Sequence, residues 1–530
     1  MIAMFVRTKN FQNKDGTKRI YLQIVKNVWE NGKSRQKVVC TLGRLKDLRK
    51  GAVDSLLKSL SRFSERLEVI EIRKDISARE DKEYGAPLIF RRIFKLLGLD
   101  KILNTCLASH NHIFSVKEAI FAMILNRILS PASKLRVYEW LDEVYDPHFD
   151  SLELHHLYRA LDFLDEHKEK IEDSLFDNVR NLFNLKLDVV FYDTTSIYFE
   201  GEGPEGIAEK GFSRDNHPED NQVVIGILMT GEGFPIACEI FPGSMYDAKT
   251  LKKALATLSR RFKIRRVIFV ADRGMVSEEN LSLIEKEGYE YIVGVKMRKL
   301  KKVKDFVLST PGRYKDVEDN LKVKEIRLDK ERYIICYNPY EAEKDKKDRE
   351  EIIKNLQEKI KTGSLSKVLT GDAKRFCKIE TGKIILNRKK IQKEARYDGK
   401  YVLQTNTTLS SEEVARAYKR LWMMERTFRD IKNIFRIRPI FHWTPSRVRG
   451  HIFICFLAFL LTVFLQRRLS EIGVKESVWK VIRDVSKVKA VKLYVKGKAY
   501  LARTELQGLA YRAFQATGIR VPPPVQELPQ

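Results

Sequence analysis

The stretch YKRLWMMERTFRDIK, Tyr418 to Lys432, decides how the rest of the chain is read. Just upstream, Ser410 and Glu413 make the S-x-x-E pattern of a capping box, so a helix is expected to begin there. Residues seven apart on an α-helix fall about 20° short of two full turns. Tyr418, Glu425 and Lys432 are therefore expected within about 40° on one face. Val414, Leu421, Phe428 and Phe435 share that face, and Arg429 lies one turn past Glu425. A carboxylate on an apolar stripe is costly unless a cation or a metal satisfies it. The plainer reading sets Glu425 at the edge of the stripe, paired with Arg429 in solvent.

Two other acids weigh against the plainer reading. From Leu185 the pattern switches to strands: LDVVFYD, NQVVIGILMT, FPIACEIFPG, RRVIFVAD and YEYIVGVKM, with helices before and after the fourth. Asp193 is expected to end the first strand and Asp272 the fourth. Either could be a turn former only. In an open α/β sheet, however, ligand groups converge at the carboxyl ends of strands. If those two strands are neighbours, two anions meet and repel unless divalent cations bridge them. Glu425 would complete a hard-oxygen site for Mg²⁺. Two metals about 4 Å apart can clamp the attacking and leaving oxygens of a phosphoryl displacement. Arg429 and Lys432 would hold a DNA phosphate beside them. Thr194, Thr195 and Ser196 read as turn and strand-end hydrogen bonders rather than nucleophiles, because no histidine base stands beside them.

Composition supports an anionic partner. The 530 residues carry 99 Lys and Arg against 71 Asp and Glu, a net charge of +28, with 43% hydrophobic residues. That charge favours nucleic acid, through counterion release, and fits poorly with a glycosidase built on paired carboxylates. The six cysteines form no CxxC pair and have no histidine at zinc-ligand spacing, so they read as buried residues or free thiols in a reducing cytoplasm. The N-terminus has no signal-peptide pattern. The apolar run Ile452 to Leu465 is expected to be a core helix, being short for a membrane span.

Six regions follow. Residues 1–83 are a β-hairpin and helix region with a turn at Asn31-Gly32, and a candidate for binding DNA ends. Residues 84–184 are helical. Residues 185–298 are the first part of a mixed five-stranded core, 299–400 a lysine-rich, β-containing insertion, and 401–470 the second part with the Glu425 helix. Residues 471–530 are a small mixed region with a hairpin in KLYVKGKAYLA and a disordered end, VPPPVQELPQ.

The order of strands, Asp193, Asp272, Glu425 and the Tyr-x6-Glu-x6-Lys helix resemble the DDE transposases of prokaryotic insertion sequences. The group in question has a Tyr-Arg-Glu-Lys signature and a β-rich insertion between the second Asp and the Glu. YDTTSIYFE, ADRGMVS, ARYDGKYVLQTN, ERTFRDIK and RPIFHWTPSRVRGHIFICFLA resemble one branch of it. The resemblance implies a ribonuclease-H-like α/β core, two Mg²⁺ or Mn²⁺ ions on Asp193, Asp272 and Glu425, and cut-and-paste DNA transposition. Lys432 would contact the DNA backbone and Tyr418 would support the same region. The signature's Arg is replaced by Leu421. Arg420 or Arg429 would cover that phosphate role, or the branch dispenses with it; Arg273, beside Asp272, is a further DNA-binding candidate.

The expected partner is double-stranded DNA, element ends and target, held by a homodimer in the synaptic complex. No membrane and no small-molecule cofactor are expected, and the location is the cytoplasm at the nucleoid. Two alternatives stay open: a ribonuclease-H-like nuclease that never joins strands, and a captured, non-transposing DNA-binding protein. Of the lysine-rich runs, RKLKKVK (298–304) is the better candidate for DNA contact and EKDKKDRE (343–350) the poorer. Trp422 and Trp443 could stack on bases, but their apolar surroundings favour core packing.

Overall fold

In the computed structural model, residues 4–30, 33–64, 76–108, 114–183, 189–212, 217, 219–245, 247–262, 268–271, 277–328, 331–361, 376–380 and 383–529 are described. The chain forms two compact units. Met1–Glu80, Val491–Ala502 and Val525–Gln530 make one, and Asp81–Ala490 with Arg503–Pro524 the other.

The smaller unit begins with an antiparallel meander of β1 (Met4–Gln12), β2 (Lys18–Glu30) and β3 (Lys33–Arg44). The expected Asn31-Gly32 turn lies outside the described residues. A helix, Ala52–Ser61, follows. β4 (Ile76–Glu83) belongs to a separate four-stranded sheet with strands from near the chain's end.

The larger unit is built on a nine-stranded mixed sheet. β5 (Val189–Tyr198), β6 (Gln222–Thr230) and β7 (Pro235–Pro242) form an antiparallel meander. β8 (Ile268–Ala271) runs parallel to β5, and β9 (Glu290–Val295) parallel to β8. Every residue of β6 is buried, as a central strand covered on both faces requires. These five strands make the mixed core sheet expected from the sequence. The sheet does not stop at five strands. β10 (Lys315–Glu318), β11 (Leu321–Leu328) and β12 (Glu331–Tyr337) come from the lysine-rich region and join it through β15 (Lys400–Thr405), in the order β10-β11-β12-β15-β9-β8-β5-β6-β7. The β9 edge needed covering, since an unpaired edge is a site for aggregation. A small hairpin, β13 (Cys377–Glu380) with β14 (Lys383–Leu386), stands outside the sheet beside the charged helix Pro339–Lys361.

Alternation along β5 separates two cores. Val190 and Tyr192 face the helices Asp247–Ala256 and Glu278–Lys286, while Phe191 and Ile197 face a larger core. That larger core is shared with the helices Gly85–Leu96, Leu99–Leu107, Val116–Leu129, Lys134–Trp140 and Leu154–Phe183. Through it runs the helix Pro445–Glu471. At 27 residues this helix is long and apolar enough to cross a membrane, so shortness does not rule out a span; what places it in the core is that its apolar stretch is 89% buried. It approaches Leu154–Phe183 closely at Gly450, where a Cβ would lie 2.3 Å from the Leu161 carbonyl oxygen. Ion pairs Arg447–Asp162 (3.2 Å) and Arg449–Asp165 (2.7 Å) fasten the same crossing.

The C-terminal segment is ordered, contrary to expectation. β16 (Lys489–Val495) and β17 (Lys498–Arg503) form the expected hairpin, and β18 (Val525–Glu527) adds to it, pairing with Tyr500–Ala502. The order in this sheet is β18-β17-β16-β4. Prolines 522–524 argue for disorder by composition, but strand pairing of the next three residues fixes the segment.

Candidate active site

The Glu425 segment starts as its sequence dictates. Ser410 Oγ accepts from the Glu413 amide (3.2 Å) and the Glu413 carboxylate accepts from the Ser410 amide (2.9 Å), a complete capping box. Helix Ser411–Lys419 then packs Val414, Ala415 and Ala417 into the core. It is not one continuous α-helix to Lys432. At Arg420 and Leu421 the winding tightens, with the Leu421, Met423 and Met424 amides bonding to carbonyls three residues back, each at 2.9 Å. The α-helix resumes over Trp422–Arg429 and passes into a π-helical turn, Asp430–Ile434. Tightening advances the rotation and the π turn loses it again. The apolar row therefore survives: Val414, Leu421, Phe428 and Phe435 are all buried. The simple 40° argument does not carry over to Tyr418, Glu425 and Lys432, because it presupposed a uniform helix. Glu425 is exposed, and Tyr418 and Lys432 are half-buried.

Glu425 faces an open cavity of about 590 Å³ with Tyr418, Lys296, Arg298, Lys299 and Lys400 on its walls. Tyr418 stacks on Tyr401, ring centroids 5.8 Å apart. Among the described residues Glu425 has no hydrogen-bond or ion-pair partner. Arg429 is exposed, and its charge acts on Asp430 instead, so the surface pair Glu425–Arg429 does not form. Burial, followed by the charge of Arg396, pushes the Lys400 ammonium below its ordinary value. Arg298 is only partly available: its guanidinium lies 3.2 Å from Glu394 and over the Tyr397 ring. Lys296 and Lys400 were not singled out from sequence; they sit just after β9 and at the start of β15, where the two strands pair antiparallel. Leu421, in place of the signature's Arg, is buried at the tightened turn, and Arg420 is exposed.

Asp193 sits in the middle of β5 rather than at its end. The strand runs five residues further, and Thr194, Thr195 and Ser196 are buried strand residues paired with Gly226, Ile225 and Val224. Turn propensity is overridden here by the long ladder with β6. Asp193 is half-buried, and its Oδ1 accepts from the Thr194 amide at 2.8 Å. It shares the strand face of Phe191 and Ile197, which belong to the same core as Val414, Leu421 and Phe428. The helix Trp422–Arg429 packs on β5 itself. Asp193 and the Glu425 segment thus occupy one face of the sheet. Asp272 and Arg273 lie outside the described residues; β8 is described up to Ala271. Among the described residues there is no group of three or more His, Cys, Asp or Glu able to hold a metal ion. Asp193 and Glu425 offer the hard carboxylate oxygens that Mg²⁺ and Mn²⁺ take.

Trp443 departs from expectation. It is 68% exposed and Phe441 60% exposed, while His442 between them is buried.

Residues 184–461, more than half the chain, match the family described as the transposase DDE domain. The chain belongs to the DDE transposase family. Residues 6–75 of the transposase match a second model, the N-terminal domain of IS1634 family transposases, which makes it an insertion-sequence enzyme. Asp193, Asp272 and Glu425 all fall within the first match. Among solved structures the transposase is similar to a piggyBac transposase synaptic complex with hairpin DNA, at 8% identity, 76% coverage of this chain and 79% of the other, with a TM-score of 0.39. A Mos1 transposase paired-end complex with left transposon end is also similar, at 12% identity, 34% and 60% coverage and a TM-score of 0.15. No curated protein matches.

Proposed function

We propose that this insertion-sequence transposase cuts and pastes DNA at a site made by Asp193, Asp272 and Glu425. The reaction is hydrolysis of a phosphodiester at an element end, freeing a 3′-hydroxyl, and in-line attack of that hydroxyl on a phosphodiester of target DNA. Mg²⁺ or Mn²⁺, two ions held by the three carboxylates, would supply Lewis-acid stabilisation of the attacking and leaving oxygens. The chain's own part is to bind and orient. The cavity lysines Lys296, Lys299 and Lys400, with Arg420, Arg429, Lys432 and Arg273, track the DNA backbone, and Tyr418 packs beside it. No covalent protein nucleophile is needed. Two ends must be brought together, so a homodimer is the expected synaptic assembly.

The observation that carries this reading is an exposed Glu425 without a cation partner among the described residues, set in a lysine-lined cavity on the sheet face of Asp193. A second support is register: β5 and β8 pair Val189 with Ile268 and Phe191 with Val270, and Asp193 and Asp272 have the same separation in sequence.

The test incubates purified transposase with duplex carrying an element end and Mg²⁺ or Mn²⁺. Asp193→Ala, Asp272→Ala and Glu425→Ala are each expected to bind the duplex with near-normal affinity and to lose cleavage by at least about a thousand-fold. Wild-type cleavage by any of the three overturns the assignment. Joining of the freed 3′ end to a second DNA separates transposition from simple nuclease action.

A further inference from the structure

Beyond the carboxylates, the chain builds a second surface along the segment that follows the Glu425 helix. From Phe435 to Trp443 burial alternates. Phe435, Ile437, Ile440 and His442 point inward, while Arg436, Phe441 and Trp443 are exposed and Arg438 is half-exposed. Two large aromatics that expose 60% and 68% of their surface side by side are unusual on a soluble protein.

The backbone beneath them is held firmly. The buried Arg127 guanidinium donates to the carbonyls of Phe435 (3.2 Å), Arg436 (3.0 Å) and Ala132 (2.6 Å). His451 Nε2 reaches the Ile437 carbonyl at 3.1 Å, and Lys134 Nζ reaches His451 Nδ1 at 3.3 Å. His442 packs edge-on against Tyr158 and beside His451. Arg436 adopts φ of +43°, a left-handed conformation that costs a non-glycine residue energy and persists only where the surroundings impose it. A clamped, strained backbone that points aromatics into solvent is a presenting device rather than a loose loop.

We propose that Phe441 and Trp443, flanked by Arg436 and Arg438, form a rigid platform on which unpaired nucleobases of the DNA stack. Aromatic faces accept any base, and guanidinium groups beside them supply both phosphate contact and cation–π stacking, which is the composition that single-stranded DNA sites use. Side chains two residues apart on an extended chain stand roughly 6.6 Å apart, about twice the 3.4 Å step of stacked bases. One base therefore fits between the two rings. The surface touches the strand that carries Asp193: the Arg438 guanidinium lies 4.9 Å over the ring of Tyr198, at the far end of β5, and that ring stacks on His217. Asp193 and Tyr198 are five residues apart on β5, roughly 17 Å. The proposal rests on the reading of this chain as a DNA transposase, and deepens it by naming the structure of the DNA that the enzyme holds.

The test uses the full-length transposase without divalent metal, and measures anisotropy of a fluorescein-labelled oligo(dT) and of a blunt duplex of equal length. Phe441→Ala and Trp443→Ala are each expected to weaken oligo(dT) binding about ten-fold and duplex binding less than about two-fold. Trp443→Phe, which keeps a stacking face, is expected to restore most of the loss. Unchanged thermal unfolding checks the fold, as both side chains are exposed. Equal losses on the two probes would make the patch a backbone contact and overturn the proposal. So would no loss on either, or a change of oligomeric state without DNA, which would give the patch to a second copy of the chain. Glu425→Ala is expected to bind oligo(dT) like wild type, so failure of the platform and failure of the cleavage reading are separately visible.

Discussion

Two buried clusters of charged residues lie in the larger unit, and they are built on opposite plans. The first fastens Leu154–Phe183 to β7 and the helix beyond. Glu172, fully buried, meets Lys168 at 2.8 Å and Arg261 at 2.9 Å, and accepts from the Cys238 amide at 3.0 Å; Arg261 also pairs with Asp173 at 2.9 Å. Burial alone would pull Lys168 and Arg261 down, but the surrounding carboxylates, Glu172 foremost, outweigh it and both end above their ordinary values. The second cluster, under the aromatic platform, has Arg127, Lys134, His442 and His451 and no carboxylate among the groups acting on them. Burial first, then the neighbouring cations, holds His451 and Lys134 well below their usual values and His442 down to about 3. Its counterparts are backbone carbonyls of the segment it grips. A balanced cluster stores stability in paired charges; an all-base cluster has only the backbone carbonyls it holds to offset its burial.

The largest expected effect breaks the first plan. Glu172→Ala takes from buried Lys168 its ion-pair partner, from Arg261 one of its carboxylates, and from the Cys238 amide its acceptor. Removing one partner of a buried pair costs about 3–5 kcal/mol. The larger unit is expected to unfold at markedly lower temperature or urea concentration, followed by near-UV circular dichroism. A loss within about 1 kcal/mol would show that water reaches this cluster and that its burial matters little.

How far such features can be read in advance depends on the range of the forces behind them. The capping box of Ser410 and Glu413 involves neighbours only and was legible. So were the strand pattern of β5 to β9 and the apolar face of the Glu425 helix. The break at Arg420–Leu421 carries no Pro or Gly to announce it, so a uniform helix was the wrong geometry for Tyr418 and Lys432. Asp193 looked like a strand end by turn propensity, yet β6 pairs with all the residues around it. Trp443 looked buried because apolar residues surround it in sequence. What turns it outward is His442, whose neighbours Lys134 and Arg127 come from the helical region; the Lys134–His451 contact alone joins residues 317 apart. No local pattern announces a buried imidazole among bases. Asp193, Asp272 and Glu425 were read from pattern and family resemblance, and the cleavage test decides whether they act together.

A smaller effect separates the two plans by pH. His442 and His451 are neutral in the fold, with their pKa values depressed, whereas the unfolded chain binds protons on them near pH 6.5. Their contribution is complete above about pH 6.5 and is lost as the pH falls below it, because the unfolded state then binds more protons. From pH 6.5 to 5.5 His442 alone is expected to remove roughly 1 kcal/mol, and His451 adds to it in the same direction. His451→Gln, which can still donate to the Ile437 carbonyl, is expected to flatten part of that slope in urea titrations at matched ionic strength. A slope identical to wild type would mean that His451 binds its proton in the fold as it does in the unfolded chain.

The smallest effect is the sharpest contrast. Lys134 is a buried base whose pKa is depressed in the fold, so at neutral pH it costs stability relative to an unfolded chain that carries the proton freely. Lys134→Met removes that cost and leaves only the His451 Nδ1 acceptor without its donor. The net change is expected to be within about 1 kcal/mol at pH 7. It also removes a cation that lowers both imidazoles below neutrality, so the acid-unfolding midpoint is expected to move to lower pH. Lys168→Met, the equivalent change in the balanced cluster, takes one of the two close cations from fully buried Glu172 and is expected to destabilise at pH 7. If Lys134→Met instead destabilised as strongly as Glu172→Ala, the lysine would be a keystone of its cluster, and the distinction between a paired cluster and one that grips backbone alone would fail.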